Sequence, residues 1–373
     1  MPRLPSPTAA LLARIVLPRT PLRLHSFSTT ARTPQLTRTM KAILIKGGTG
    51  PADSLYLGQE PTPEPSKGEV QVKIKDFGLN RMDILQREGK YPLPPQASKT
   101  ILGVEYSGVV TQLGEGSTKW KVGDEVFGLA YGGAYAEYIV SPEIMLLAKP
   151  EKLSWVEAAS IPEAWMTATQ ALTLEAPLKE GQNVLIHAGA SGVGLAAIQI
   201  ALHALGAGKV FTTCGSDEKV AFLKNLGHSD RLHVFNYKTQ NFEEEIKKID
   251  QGVDLIIDFV GTQYYIQNIN LLRLDGTLYF LAFLSGAKFP EGASIAPILG
   301  KRLTLKGSTL RSRSAEYQYA LLKTFESKVL PKILDGTMQA KVHDVYHWTD
   351  VIEAHKAMEA NKNSGKVSHR SMA

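Results

Sequence analysis

The residues best placed to do chemistry lie in Val184-Leu-Ile-His-Ala-Gly-Ala-Ser-Gly-Val-Gly194. A strand-like apolar run enters a glycine-rich turn, and an apolar helix follows. Backbone N–H groups at such a helix start face outward at the positive end of the helix dipole, which suits a pyrophosphate. Gly189 is expected to make the turn, and Gly194 to let the helix lie close to the strand. Gly192 and Val193 open the helix. Ser191 occupies the position of the usual central glycine; it is small enough for close approach, and its hydroxyl can donate to a phosphate. The bland alternative is a tight strand–helix turn with no ligand.

The next strand ends at Thr213-Cys-Gly-Ser216. An NAD enzyme places Asp or Glu at such a strand end, where it holds the ribose hydroxyls. None stands here. Ser216 and Lys219 offer a hydroxyl and a cation that suit a 2′-phosphate, so NADPH is the expected cofactor. Asp217 and Glu218 read as first-turn acids behind a Ser216 N-cap, and Lys219 could equally be a solvated surface charge.

A metal centre is not expected. Cys214 is the single cysteine of the chain, which excludes an internal disulfide and a cysteine-rich zinc cluster. His187 falls in a buried strand. His343 and His347 have an i, i+4 spacing but flank Tyr346 and Trp348 in a strand-to-helix transition, which does not suit a metal site.

Three regions must position these residues. From Met40 to about Glu163, short β-type runs such as Val70–Ile74, Gly108–Leu113 and Tyr135–Ile139 alternate with Gly and Pro turns, as in a partly open β-barrel-like domain. From Ala164 to Lys301, strands at Asn183–His187, Lys209–Thr213, Val253–Phe259 and Thr277–Leu281 alternate with helices at Val193–Leu205 and Asp217–Leu226. That alternation predicts a doubly wound parallel sheet. Residues 302–373 return to mixed structure and are expected to rejoin the first domain, with helices near Ala315–Phe325 and Val351–Ala360.

The chain has 373 residues and a net charge of +6. Residues 1–40 hold six arginines and no Asp, Glu or Lys, which accounts for the whole of that charge. The folded body is therefore near neutral, and nucleic-acid binding is not expected. Arg-rich, Ser-rich and acid-free, residues 1–39 read as a mitochondrial transit peptide, with a short helix between Thr8 and Leu17. The alternative is an unstructured tail; a product starting at Met40 would be cytosolic. No apolar run is long enough to span a membrane.

Several segments carry a closer likeness: Asn80–Tyr91, Ile101-Leu-Gly-Val-Glu105, Ile161-Pro-Glu-Ala-Trp165, His187–Gly194, Phe235-Asn-Tyr237, Leu310-Arg-Ser-Arg313 and Glu353–Asn363. In order, from Met40 to about Val367, they resemble the zinc-free quinone oxidoreductase branch of the medium-chain dehydrogenase/reductase superfamily. The resemblance implies an α/β protein: a GroES-like β-rich catalytic domain joined to a Rossmann domain, with the active site between them, and a homodimer. It implies Tyr91, Asn80 and Ser191 at the reaction itself, with Tyr91 touching a quinone and Asn80 orienting the nicotinamide ribose. Asn80 could instead, or also, be a helix N-cap. Met166 and Thr167 would line the nicotinamide, and Tyr237 the adenosine phosphate. Val260 and Gly261 would pass under the adenosine, Ala282 and Phe283 would lie near the carboxamide, and Lys366 would reach the cofactor. Asp258 and Glu105 read as fold-holding acids.

Without a Lewis acid, an unactivated alcohol is a poor substrate, whereas a quinone carbonyl is already electrophilic. A mitochondrial enoyl thioester reductase, an RNA-binding role and a crystallin-like structural role stand as alternatives. One departure concerns the end of the chain. Members of the resembled branch continue past Gly365-Lys366 with an apolar strand, whereas here the sequence reads Val367-Ser-His-Arg-Ser-Met-Ala373. A closing strand that is mostly missing is the expectation. A second departure is the longer polar turn Leu226–His233.

Overall fold

The computed structural model describes residues 38–226 and 230–370. The leader and part of the Leu226–His233 turn lie outside the described residues. The first body is organised around an eleven-residue strand. Strands β1 (Thr39–Ile45) and β2 (Leu55–Pro61) form an antiparallel pair. Next come β3 (Glu69–Leu79), β4 (Glu105–Leu113), β5 (Glu125–Leu129), β6 (Tyr138–Pro142) and β7 (Leu146–Ala148). Alternate residues Val70, Val72 and Ile74 of β3, and Phe77 after a register shift between Ile74 and Asp76, enter a core with Tyr106, Val110 and Trp348. The expected strand at Tyr135–Ile139 begins later, at Tyr138. Upstream of it, Ala136 makes only an isolated bridge to Ala42.

The second body is a six-stranded sheet of β8 (Val184–Ile186), β9 (Val210–Cys214), β10 (Leu232–Asn236), β11 (Val253–Asp258), β12 (Leu272–Phe280) and β13 (Thr304–Gly307). All its pairings are parallel, in the spatial order β10-β9-β8-β11-β12-β13. A parallel sheet is covered on both faces, so its strands are apolar on both sides. Leu185, Phe211, Ile256 and Leu278 join one core cluster. Val184, Ile186, Val210 and Ile257 join the other. Strand order reverses between β8 and β11, which opens a crevice at their carboxyl ends. The fold is the expected α/β one: a GroES-like β-rich body and a Rossmann-type parallel sheet.

The chain then returns to the first sheet through β14 (Val342–His347) and β15 (Lys366–Arg370). The expectation of a mostly missing closing strand is corrected here. β15 pairs parallel with β14 and antiparallel with β3, from Val367 opposite Leu79 to Arg370 opposite Asp76. Backbone pairing on both sides suffices to form it despite its polar residues. Ser368 Oγ donates to the Phe77 carbonyl at 3.1 Å. The His369 ring stacks on Phe77 with centroids 4.9 Å apart. Both His369 nitrogens are buried without a hydrogen-bond partner among the described residues.

Candidate active site

β8 delivers the chain into the glycine-rich turn. The residue in the left-handed region is Ala188, at φ 50°, so Gly189 is not the one that turns the backbone. Gly189 is required for space: a Cβ there would lie 2.0 Å from Thr212 Oγ1. At Gly194 a Cβ would lie 2.4 Å from the Ala188 carbonyl, which is the close approach of helix and strand. Ser191 is the N-cap of the helix Gly192–Gln199, and its Oγ accepts the Gly194 N–H at 3.1 Å. The Gly192 and Val193 N–H groups, in the first helical turn, have no carbonyl of their own helix to bond.

His187, just past β8, is a buried cross-link. Its ring nitrogens lie 3.0 Å from Thr213 Oγ1 and 2.8 Å from Asn268 Oδ1, and burial lowers its pKa. Asn268 also donates to Asp258. Asp258 accepts the N–H groups of Val260, at 2.6 Å, and Gly261, so it fixes the turn beyond β11. Gly261 has φ 86°, and a Cβ there would meet the Gly286 carbonyl and the Phe283 ring. Phe283 is half exposed beyond β12.

At the end of β9, Ser216 caps the helix Asp217–Lys224 by accepting the Lys219 N–H at 3.3 Å. Asp217 is turned away, accepting from Asn236 Nδ2 at 2.8 Å. Lys219 Nζ donates to the Asn361 carbonyl at 2.8 Å. Arg81 donates to Asn361 Oδ1 at 2.6 Å, so two cations converge on one asparagine. Tyr237 is exposed, and its hydroxyl lies close over Gly215.

The first body supplies the facing wall. Asn80 stands at the N-cap of the helix Arg81–Arg87, its backbone N–H donating to Asp83 at 2.9 Å. Its side chain donates to Glu105 Oε1 at 2.8 Å and accepts from Lys366 Nζ at 2.6 Å. Glu105 is fully buried. It also accepts Lys366 Nζ at 2.5 Å and the Glu163 backbone N–H at 2.7 Å. Gly78 lies beneath it, where a Cβ would be 2.1 Å from Glu105 Oε1. Glu105 is thus the hub that ties β4 to β15 and to the helix Pro162–Thr169. Lys366, expected to reach a cofactor, turns its ammonium inward to this hub. Its stem lies against Gly192, while the Gly365 N–H donates to the Ala190 carbonyl at 2.9 Å.

Tyr91 lies beside Arg311, whose guanidinium is 5.7 Å from the ring centroid. Buried Arg311 is held by the Tyr131 carbonyl and by Gln86 Oε1 at 2.7 Å. Burial raises the Tyr91 phenol, and the Glu163 carboxylate adds to the rise. Burial, and then neighbouring Glu105, push the Glu163 carboxyl up to about 7. Burial pushes Asp83 up to about 6. Met166 is buried in the apolar core and has almost no surface to offer a ligand. Thr167 Oγ1 is shielded from solvent and makes no hydrogen bond.

Sequence reasoning missed Glu163, Asp83, Arg81 and the position of Arg311. A first-turn acid after a proline, such as Glu163, reads as an ordinary dipole partner, and nothing local sets it apart.

The alcohol dehydrogenase GroES-like domain family matches residues 66–151, and the zinc-binding dehydrogenase family matches residues 192–327. Quinone oxidoreductase-like protein 2 of Bos taurus is 30% identical over 316 residues, covering 83% of this chain and 87% of that protein. The chain belongs to the medium-chain dehydrogenase/reductase superfamily. A mycobacterial member of known structure, solved in complex with NADPH, is 29% identical with a TM-score of 0.76, covering 89% of this chain and 99% of that one. The enoyl reductase CurK is 27% identical with a TM-score of 0.77, covering 90% and 99%. This medium-chain dehydrogenase/reductase therefore has oxidoreductase relatives, and its fold is that of nicotinamide-dependent enzymes. The Gly192 and Val193 N–H groups at the helix start and the Thr167 hydroxyl, buried without a partner among the described residues, fit such a cofactor. Among the described residues, no group of three or more His, Cys, Asp or Glu is placed to hold a metal ion. Nor, among them, is any helix long and apolar enough to cross a membrane.

Proposed function

We propose that this enzyme reduces quinones, or similarly electrophilic carbonyl acceptors, with NADPH and without a metal. The observation that carries the reading is the acid-free end of β9. Ser216 caps the next helix there, Asp217 is bonded away to Asn236, and Lys219 and Arg81 converge on Asn361. A 2′-phosphate meets cations at that strand end rather than a carboxylate. The segments from Asn80 to Asn363 resemble those of the p53-inducible quinone oxidoreductase.

A bound reduced nicotinamide supplies the hydride. The protein's part is to position and to exclude water. Ser191, Gly192, Val193 and Gly194 form the pyrophosphate seat, with Tyr237, Val260 and Gly261 beside the adenosine. Thr167, Ala282 and Phe283 flank the nicotinamide, and Asn80 is held rigid by Glu105 and Lys366 to orient the ribose. Tyr91, pressed against Arg311, donates its phenolic hydrogen to the acceptor oxygen. Burial favours the neutral phenol that can do so.

The test is steady-state NADPH oxidation against a panel of quinones, enones and enoyl thioesters, with and without a chelator. Quinone turnover that survives chelation supports the reading. Turnover of enoyl thioesters alone would favour the second reading, an enoyl thioester reductase, which the likeness to CurK keeps in play. The same proposal makes residues 1–39 a mitochondrial targeting segment and the enzyme a homodimer. A fluorescent protein carrying residues 1–39 should enter mitochondria; a diffuse, unprocessed signal would overturn that part.

A further inference from the structure

We propose that Glu163 is the proton donor to the reduced acceptor. The inference rests on the quinone-reductase reading and extends it. Hydride transfer to a quinone leaves a hydroquinone anion, and one oxygen must gain a proton before release. Glu163 is placed to give it. Its residue opens the helix Pro162–Thr169, and its backbone N–H is anchored to Glu105 Oε2 at 2.7 Å. That bond fixes the residue and leaves its own carboxyl unengaged. Among the described residues, no hydrogen bond or ion pair holds the Glu163 side chain, although Glu105 and Asp83 beside it are committed. Glu105 is bonded to Lys366 and Asn80, and Asp83 to the N–H groups of Asn80 and Gly103.

The groups facing the Glu163 carboxyl come from each surrounding element. Glu105 comes from β4, Lys366 from β15, Asp83 from the helix Arg81–Arg87, and Arg311 from the loop after β13. Tyr91, the expected acceptor contact, feels the same carboxyl. Two buried acids oppose its ionisation, while Lys366 and Arg311 are already engaged with other partners. With burial the largest cause, its carboxyl is pushed up to about 7, so about half of the molecules carry the proton at neutral pH, which is the range a general acid needs. In the step, the Glu163 O–H bond breaks as a new O–H bond forms on the hydroquinone oxygen. The electron pair of the broken bond stays on the Glu163 carboxylate, and water entering between turnovers restores the proton. The reductant is the nicotinamide hydride already invoked.

The experiment compares wild type, Glu163→Gln and Glu163→Asp in NADPH-dependent reduction of an ortho-quinone from pH 5 to 9, in H2O and in D2O. NADPH binding is followed separately by fluorescence quenching. Wild type should lose kcat above about pH 7 and show a solvent isotope effect. Glu163→Gln should bind NADPH normally, turn over about 100-fold more slowly, and lose both the basic limb and the isotope effect. Glu163→Asp should keep both at reduced rate. A Glu163→Gln enzyme that binds NADPH and retains the wild-type rate and pH limb overturns the proton-donor role and leaves quinone reduction standing. Absence of quinone turnover in wild type overturns the quinone reading and the donor role with it. Should Glu163→Gln fail to bind NADPH, Glu163→Asp decides: loss of the basic limb in that variant also overturns the role.

Discussion

A Cβ on Gly192 would stand 2.7 Å from Lys366 Cδ. The lysine that anchors the buried acid of the first sheet is therefore also packed on the first residue of the helix Gly192–Gln199. Lys366→Met keeps the stem and removes the charge, leaving fully buried Glu105 without its cation. Breaking a buried pair from one side costs about 3–5 kcal/mol. Denaturant titration should show a loss of that order, and adding Glu105→Gln should restore most of it. A single variant as stable as wild type would show that Asn80 and water suffice for Glu105.

Cofactor choice is read at Ser216. Wild type should prefer NADPH to NADH by at least about tenfold in kcat/KM, equivalent to ~1.4 kcal/mol. Ser216→Asp preserves an N-cap oxygen and places a negative charge against the 2′-phosphate, so it should shift preference towards NADH with little change in melting temperature. This is a cleaner probe than Asp at Gly215, where a Cβ would lie 2.6 Å from the Tyr237 hydroxyl. Lys219→Ala should lower activity with NADPH and barely touch NADH. Equal use of the two cofactors by wild type would refute the 2′-phosphate argument.

Tyr91→Phe removes the phenolic donor and keeps the ring beside Arg311. Quinone kcat should fall about tenfold or more, because one hydrogen bond to the acceptor oxygen is lost, while the NADPH dissociation constant stays within about twofold. A drop in NADPH affinity with kcat unchanged would move Tyr91 from the acceptor to the cofactor.

His369 gives a prediction about stability. Burial lowers its folded pKa from 6.5 to about 3, so between those values the unfolded chain binds the extra proton. Its contribution is fully present above pH 6.5 and is lost as pH falls towards 3. His369→Leu removes two unpaired buried nitrogens, each costing about 1–3 kcal/mol when unsatisfied. The variant should melt higher than wild type, and its advantage should widen between pH 6.5 and 4. An advantage that does not change with pH would mean that His369 titrates normally in the folded protein.

The parallel sheet and its glycine-rich turn were legible because their signals are local. An apolar strand, a glycine turn and an apolar helix follow within about twenty residues of sequence. The centre of the site was not legible. Glu105 meets Glu163 across 58 residues and Lys366 across 261, and no spacing rule connects such positions. Lys219 was read as a phosphate ligand from its type, but its bond to the Asn361 carbonyl depends on a turn 142 residues away. The closing strand was misjudged for a related reason. Side-chain polarity counted against it, whereas its formation is decided by two neighbouring strands that leave its backbone no other partner.

The long reach of β15 also bears on how the protein is made. Ser368 bonds to Phe77 across 291 residues, and the chain segment that steadies Asn80, Glu105 and the Ala190 turn is synthesised long after all of them. A nascent chain can build the Rossmann sheet as its strands emerge, yet the part of β3 that β15 covers, from Asp76 to Leu79, must wait unpaired on one edge until β15 emerges. Until then that edge is open to other unfolded chains. Ribosome-bound intermediates should therefore depend on a chaperone at the first sheet and gain the Glu105–Lys366 pair only once β15 has emerged.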